Sequence, residues 1–290
     1  VNAHQQNATV AVITRTCNRP QLLERACASV MAQVRRDFLW VLVNNGGDPA
    51  PVEAAATQAR SAGIDVQVHH ITASLIEAAS NHGIRHCDSE FVAIHDDDDC
   101  WEPAYLERTV EYLTARPRLV GVATATTEVI ERLDADGFTT LSRTPYQPWV
   151  RAVHLVDMAQ RNLFPPIALL FRRVAWESVG GFDEELPVLG DWDFNLRLLR
   201  HHDIGFIPET LANYHIRPTI TDSTDANGNT ITAGIDRFHE IDPMIRNRLL
   251  RQDLDQGCVG LGWLVALGRQ HQAMWTVLRG LMANTKDTKP

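Results

Sequence analysis

The chain has 290 residues, of which 44% are hydrophobic and 22% charged, with a formal net charge of −9. That length allows one large α/β domain or two small ones, and the acidic balance excludes a general nucleic-acid-binding surface, which must be basic. Five scattered cysteines without a CxxC pair, and twelve histidines without HExxH or finger spacing, exclude a disulfide framework and a zinc site of those spacings, so reduced thiols in a cytoplasmic setting are expected. The longest apolar stretch, Val259 to Gly268, is far short of the roughly 20 residues that span a bilayer. No signal peptide is evident, and residues 1–8 and 284–290 read as loose ends.

Ala8 to Thr14 (ATVAVIT) is apolar and β-branched, a central strand by composition. After RTCNRP, a helix starts at Pro20. A second strand, Phe38 to Val43, ends in NNGGDP; a helix covers about Pro51 to Ala62, and Asp65 to His70 gives a third strand. Ser74 to Cys87 reads as a helix and Phe91 to Ile94 as a fourth strand, which runs into four consecutive aspartates, Asp96 to Asp99. Trp101-Glu102-Pro103 opens the next helical pattern, with Pro suited to the first turn. This β-α-β-α alternation predicts a mostly parallel, twisted sheet flanked by helices, its polar loops TRTCNRP, NNGG and HDDDD gathered on one edge.

Beyond Gly121 the pattern changes. Two strand-like segments flank Asp134-Ala135-Asp136-Gly137, a hairpin with a DG turn. A short helix near Leu155 to Asn162, the strand IALLFRR, a helix closed by Gly180-Gly181 and a helix from Asp191 to His201 follow. The Thr-, Asp-, Asn- and Gly-rich run from Arg217 to Gly234 is a candidate lid. Two helical segments, Pro243 to about Leu254 and about Val259 to Met282, close the chain. Leu261, Leu264, Val265, Trp275, Leu278, Leu281 and Met282 form an apolar stripe that packs on the domain or a second copy, with peripheral membrane contact as the alternative.

The acidic run organises the chemistry. Clustered carboxylates at a strand's carboxyl end are tolerable beside a core only with cations among them, and hard divalent ions take such oxygens together with a substrate's phosphates.

The order of VAVITRTCNRPQLLERACASVMAQ, VLVNNGG, ASNHGI, FVAIHDDDDCWEP, GGFDEELPVLGDWDFNLRL and NYHIRP resembles the GT-A glycosyltransferases of family 2, over roughly residues 9 to 217. The resemblance implies a GT-A (Rossmann-like) domain over 1–235, with a nucleotide-binding half at about 8–120 and an acceptor-binding half at about 121–235. A C-terminal helical extension, 236–290, completes it. It implies an inverting hexosyl transfer from a nucleotide-sugar, UDP-linked by expectation, with Mn²⁺ or Mg²⁺. The acceptor would be a saccharide or glycolipid hydroxyl in bacterial-type polysaccharide or glycolipid assembly, and the place the cytoplasm or the inner face of the membrane.

Residue by residue, the DxD motif falls on Asp96-Asp97-Asp98, with Asp96 on the ribose side and Asp98 as metal ligand. His215 matches a histidine that closes over the metal or diphosphate. Thr16, Asn18 and Arg19 match the first nucleotide loop, Asn44 and Asn45 the second, and Asn81 the middle motif; the Asn carbonyls suit a pyrimidine N3–H. The Glu-Asp pair before a Trp falls on Gly190-Asp191-Trp192, making Asp191 the base, with an N-cap role and Asp193 as competitors. Trp192 is either an acceptor-binding face or a core residue.

The sequence also departs from the family. Arg15 stands where Pro is usual, Ser80 where Arg or Lys is frequent, Gly190 where Glu is usual, and Asn44-Asn45 where Asp-Asp is common. The last three of these departures support an alternative, a catalytically silent GT-A domain that binds nucleotide-sugar or saccharide. A dehydrogenase ranks far lower, because no GxGxxG follows the first strand.

Overall fold

The computed structural model describes residues 8–134, 137–222, 225–229 and 235–286. Its centre is β1 (Ala8–Thr16), which is buried from Val10 onward. It pairs in parallel with β2 (Phe38–Asn45) and β4 (Ser89–Ile94), and β2 pairs in parallel with β3 (Asp65–Ile71). Helices α1 (Pro20–Met31), α2 (Pro49–Ser61) and α3 (Ile76–Arg85) make the crossovers. Helix α2 starts earlier than its apolar pattern suggests, because Asp48 caps it through Ala50 N at 3.0 Å and Pro49 fills the first turn. In a parallel block every carboxyl end lies on one edge, so the loops after β1, β2, β3 and β4 meet there.

The second half turns part of the sheet antiparallel. Cys100–Trp101 forms a two-residue strand, β5, and α4 (Tyr105–Thr114) follows it. The long β6 (Leu119–Asp134) pairs with β7 (Gly137–Pro145) as the expected hairpin, whose turn residues 135 and 136 lie outside the described residues. After α5 (Leu155–Gln160) and a 3₁₀ turn (Pro166–Ala168), β8 (Leu169–Arg172) slots between β4 and β6, antiparallel to both. Helices α6 (Arg173–Ser178) and α7 (Gly190–His201) precede β9 (Asp203–Ile216), which runs parallel to β6 and antiparallel to β5. The strand order is β3-β2-β1-β4-β8-β6-β9-β5, with β7 on β6.

Two differences from the sequence reading have clear causes. The helix after the aspartates begins at Tyr105, not at Trp101, because Cys100 and Trp101 pair with β9. There the Trp101 ring stacks on Tyr105 at 4.3 Å and its Nε1 donates to Ile167 O at 2.7 Å. Strand β9 is assigned no element from the sequence because it has no clean alternation, its pairing with β6 shifting register around Ala125.

The C-terminal helices α8 (Ile235–Asp255) and α9 (Leu261–Lys286) pack on each other and, through α9, on α5. Arg246 bolts them down: Nη1 reaches Ala159 O (3.1 Å) and Val265 O (2.8 Å), and Nη2 reaches Gln160 O (3.1 Å). Leu261 and Val265 of the apolar stripe are buried while Trp275 is exposed. The side chains of Leu278, Leu281 and Met282 lie outside those described. No described helix is long and apolar enough to cross a membrane.

Candidate active site

The loops at the carboxyl edge enclose a crevice of about 490 Å³, a size that suits a ligand of cofactor dimensions. Arg15, Thr16 and Arg19 come from the end of β1 and its loop, Asn45 from β2, and Asp96 to Asp99 from the loop after β4. Glu77 at the start of α3 and Asp191 at the start of α7 form the far wall, with Tyr146 and Tyr214 beside them. Among the described residues, Leu189 (φ 64°), which lines the crevice, and Asn18 (φ 54°), in the loop after β1, have positive φ without being glycine. Such backbone is held against its preference and gathers at binding sites.

Arginines supply the cations that the acidic run requires. Arg15 pairs with Asp96, Arg19 with Asp97 at 2.8 Å, and Arg217 with Asp98, which Arg19 also approaches at 3.7 Å. Burial pushes Asp97 up despite Arg19, and burial plus the charge of Asp98 pushes Asp99 well up. Asp98 is the one held down: against its own desolvation, Arg19 and Arg217 keep it ionised. The segment after β9 lies over the run, with Asn229 Nδ2 on Asp98 Oδ2 at 3.1 Å and Arg19 Nη2 on Gly228 O at 2.5 Å. Residues 223, 224 and 230–234 of the expected lid lie outside the described residues. Asp97 Oδ2 and Asp99 Oδ2 are buried without a hydrogen-bond partner, and no other carboxylate oxygen among the described residues is so placed.

Across the crevice, Asp191 accepts from Asn162 Nδ2. Burial raises its pKa, offset in part by the Trp192 N–H, Asn162 and Arg15. Asp193 is a different case. Arg197 (2.8 Å) and Arg248 (2.7 Å) lock it, at 2% exposure, away from the crevice. Glu77 is buried beside Arg15 and faces Gly190, and burial lifts its pKa to about 7 although Arg15 opposes the shift.

Several residues singled out from sequence are placed elsewhere. Trp192 does not offer an acceptor face: it is 1% exposed, its Nε1 donates to Met158 O at 2.7 Å, and Arg246 covers its ring. Neighbouring helical residues point about 100° apart, so Asp191 and Trp192 cannot share a direction. His215 lies behind the aspartates, its Nδ1 on Glu131 Oε2 at 2.8 Å and its N–H on Asp99 Oδ1 at 2.8 Å. Strand alternation turns Tyr214 to the crevice instead. Asn81 is one helical turn deeper than Glu77 and clamps Phe182 O (2.8 Å) and Trp176 Nε1 (3.0 Å). Both ends of the Asn44 amide close its own loop on Gly47, and Asn18 Oδ1 accepts from Asp48 N, so neither lines the crevice. Asn45 does line it, with its amide tied to Ser74.

Sequence reading missed Glu131, Arg25 and Arg217. Glu131 takes Arg25 and Arg217 at 2.7 Å each, and its hydrogen bonds from His215 and Arg25 hold its pKa at about 2 in spite of burial. A glutamate in the middle of a long strand gave no local sign of this. Glu77 and the two tyrosines were missed for the same reason.

The model of the family described as "Glycosyl transferase family 2" matches residues 11–176. The chain belongs to glycosyltransferase family 2. It is an enzyme of that family with the GT-A fold. Its relatives include YwdF of Bacillus subtilis, named an uncharacterized glycosyltransferase, 22% identical over 69% of this chain and 71% of that one. RT0329 of Rickettsia typhi, named likewise, is 21% identical over 75% of this chain and 67% of that one. Among solved structures, S. aureus TarS 1–349 in complex with UDP-GlcNAc superposes with a TM-score of 0.64 at 16% identity, over 83% of this chain and 66% of that one. The mannosyltransferase PcManGT of Pyrobaculum calidifontis, in complex with GDP-Man and Mn²⁺, superposes at 0.59 and 16% identity, over 98% of this chain and 89% of that one. Both likenesses bear on the fold. This family 2 chain thus spans just under two thirds of the TarS chain it resembles.

Proposed function

We propose that this family 2 enzyme moves a hexosyl group from a nucleotide-sugar, UDP-linked by first choice, to a saccharide or glycolipid hydroxyl. The transfer inverts the anomeric centre and uses Mn²⁺ or Mg²⁺. The observation that carries the reading is the pair of buried, unpartnered oxygens on Asp97 and Asp99, beside an ionised Asp98 at the crevice wall. These hard oxygen donors fit a divalent cation. Among the described residues they do not form a closed cage of three converging ligands, as expected where substrate phosphates complete the shell. When bound, such an ion stabilises the charge gathering on the departing diphosphate.

The chain's own residues do the rest. Thr16, Arg19 and Asn45 line the crevice on the nucleotide side, with Asp96 toward the ribose and Asp98 as the chain's first ligand to the ion. Asp191, opposite, takes the proton of the attacking hydroxyl, and its raised pKa makes it a better base than an exposed carboxylate. The exclusion of Asp193 by its two arginines favours Asp191. TarS and PcManGT, bound to UDP-GlcNAc and to GDP-Man, support a nucleotide-sugar donor of either base. Free cysteines throughout support a cytoplasmic setting.

The test is thermal stabilisation by UDP- and GDP-sugars with and without Mn²⁺, since a ligand that binds only the folded state raises its melting point. A metal-dependent rise with at least one donor, lost in Asp98→Ala, is expected, and proton NMR of the product should show the inverted anomer. No rise with any donor at millimolar concentration would refute the reading.

A further inference from the structure

Gly190 and Glu77 contend for one space. A Cβ built on Gly190 would lie 2.4 Å from Glu77 Cγ and 2.5 Å from Glu77 Oε1. Gly190 is not among the positive-φ glycines, so its backbone does not demand glycine. The missing side chain makes room for the Glu77 carboxylate. A parallel exchange sits next to it: Ser80 carries no cation, and Arg15 reaches across from β1 to put Nη1 2.6 Å from Ser80 Oγ. A carboxylate missing from α7 and a cation missing from α3 are thus matched by groups from other elements in the same places.

Glu77 is also held only loosely. It is 6% exposed, and its contacts to Ser80 Oγ at 3.5 Å and Arg15 Nη1 at 3.7 Å are long, while Arg15 is committed to Asp96 and Ser80. A carboxylate held by long contacts at a crevice wall keeps acceptor capacity for a ligand. We propose that Glu77 is a substrate-binding carboxylate that accepts a hydrogen bond from a carbohydrate hydroxyl beside Asp191. The inference rests on the transfer reading above. The hydroxyl belongs to the donor's sugar or to the acceptor.

The experiment compares the parent with Glu77→Gln, Glu77→Gly and the exchange Glu77→Gly/Gly190→Glu, each checked for folding by circular dichroism. UDP, GDP, UDP-GlcNAc and GDP-Man are titrated with Mn²⁺, and turnover with free glucose, mannose or GlcNAc as acceptor is followed as release of the nucleoside diphosphate. A donor-sugar contact predicts that Glu77→Gln weakens the nucleotide-sugar at least tenfold with the free diphosphate unchanged. An acceptor contact predicts unchanged binding of both and turnover at least tenfold slower. In either case the exchange recovers most of the loss in Glu77→Gly. An equal loss of diphosphate and nucleotide-sugar, no change in Glu77→Gln, or an exchange no better than Glu77→Gly overturns the proposal while the transfer reading stands. A parent that binds none of the four probes overturns both.

A different cluster carries a second inference. His69 of β3, His82 of α3 and His86 at the C-cap of α3 bring ring nitrogens within 4.8 Å of one another. His82 Nε2 and His69 Nδ1 are 3.3 Å apart, close to the edge of a tetrahedron with bonds of about 2.0–2.1 Å. His86 Nδ1 donates to His82 O at 2.7 Å, which leaves Nε2 as the basic nitrogen, the orientation typical of a ligating imidazole. The geometry points to a site for a first-row transition ion such as Zn²⁺, clipping the edge strand β3 to α3. Co²⁺ titration in excess Mg²⁺ tests it through the visible absorption of nitrogen-ligated cobalt. One equivalent is expected in the parent, Asp98→Asn and His201→Ala, lost in His69→Ala and His82→Ala. Absorption that is absent from the parent, or that survives both histidine changes, overturns the site.

Discussion

Two buried arginines show how differently the chain treats its joint and its crevice. Arg246, beneath the C-terminal helices, has every guanidinium nitrogen engaged, on Asp242 and on the carbonyls of Ala159, Gln160 and Val265. Its guanidinium also lies 4.6 Å over the Trp192 ring. Arg15, equally buried, leaves Nε without a partner and stands near Glu77, whose contacts are long, and Asp97, which keeps one buried oxygen unpartnered. The joint is complete in itself, whereas the crevice is a set of groups that only a substrate completes. Unmet polar atoms lower stability, and a protein retains them where function requires them.

The largest expected effect tests the crevice side of that contrast. Asp191→Asn keeps the shape and removes the proposed base, so turnover should fall about 10²- to 10⁴-fold, with nucleotide-sugar affinity nearly unchanged by calorimetry. Parent-like turnover would transfer the role to another carboxylate. On the joint side, Arg246→Met leaves three carbonyls short of a donor and uncovers Trp192. It should cost about 3 kcal/mol of stability in urea unfolding, with free-diphosphate affinity within a few-fold of the parent. If that variant is instead stable and cannot bind, the two regions are not separate.

The parallel block was legible because β1, β2 and β4 are short apolar runs ending in polar loops, and by topology those loops stand on the same edge. The carboxylates Asp96 to Asp99 and Asp191 were legible for the same reason, since contiguous motifs carry them. What failed was direction. Trp192 was drawn to the site by its neighbour Asp191, and His215 by its place in NYHIRP, but helix rotation and strand alternation turn both away. Glu77 and Glu131 stayed hidden because their partners are far along the chain: Gly190 and Arg15 for one, Arg25 and Arg217 for the other. Ser80 and Gly190, taken singly, looked like lost function. Only the fold shows Arg15 and Glu77 standing in their places.

The smallest effect discriminates by its sign. Burial lifts Glu77 from 4.5 to about 7 in the folded chain, with Arg15 opposing the shift and Asp191, then Asp193, reinforcing it. Between those values the folded state holds a proton that the unfolded state has released, so this group's contribution to stability falls as pH rises from about 4.5 to 7. Relaxation around Arg15 trims the full shift, leaving about 2 kcal/mol. Other buried groups titrate nearby; His95, held down to about 3 by burial, acts with the opposite sign. The clean quantity is therefore the difference between Glu77→Gln and the parent in urea unfolding. Glutamine does not titrate, so the variant should gain on the parent steadily across that window and level off above it. A flat difference would mean that the Glu77 carboxylate is better solvated than its place beside Gly190 implies, and the contrast between a complete joint and an incomplete crevice would lose its strongest member.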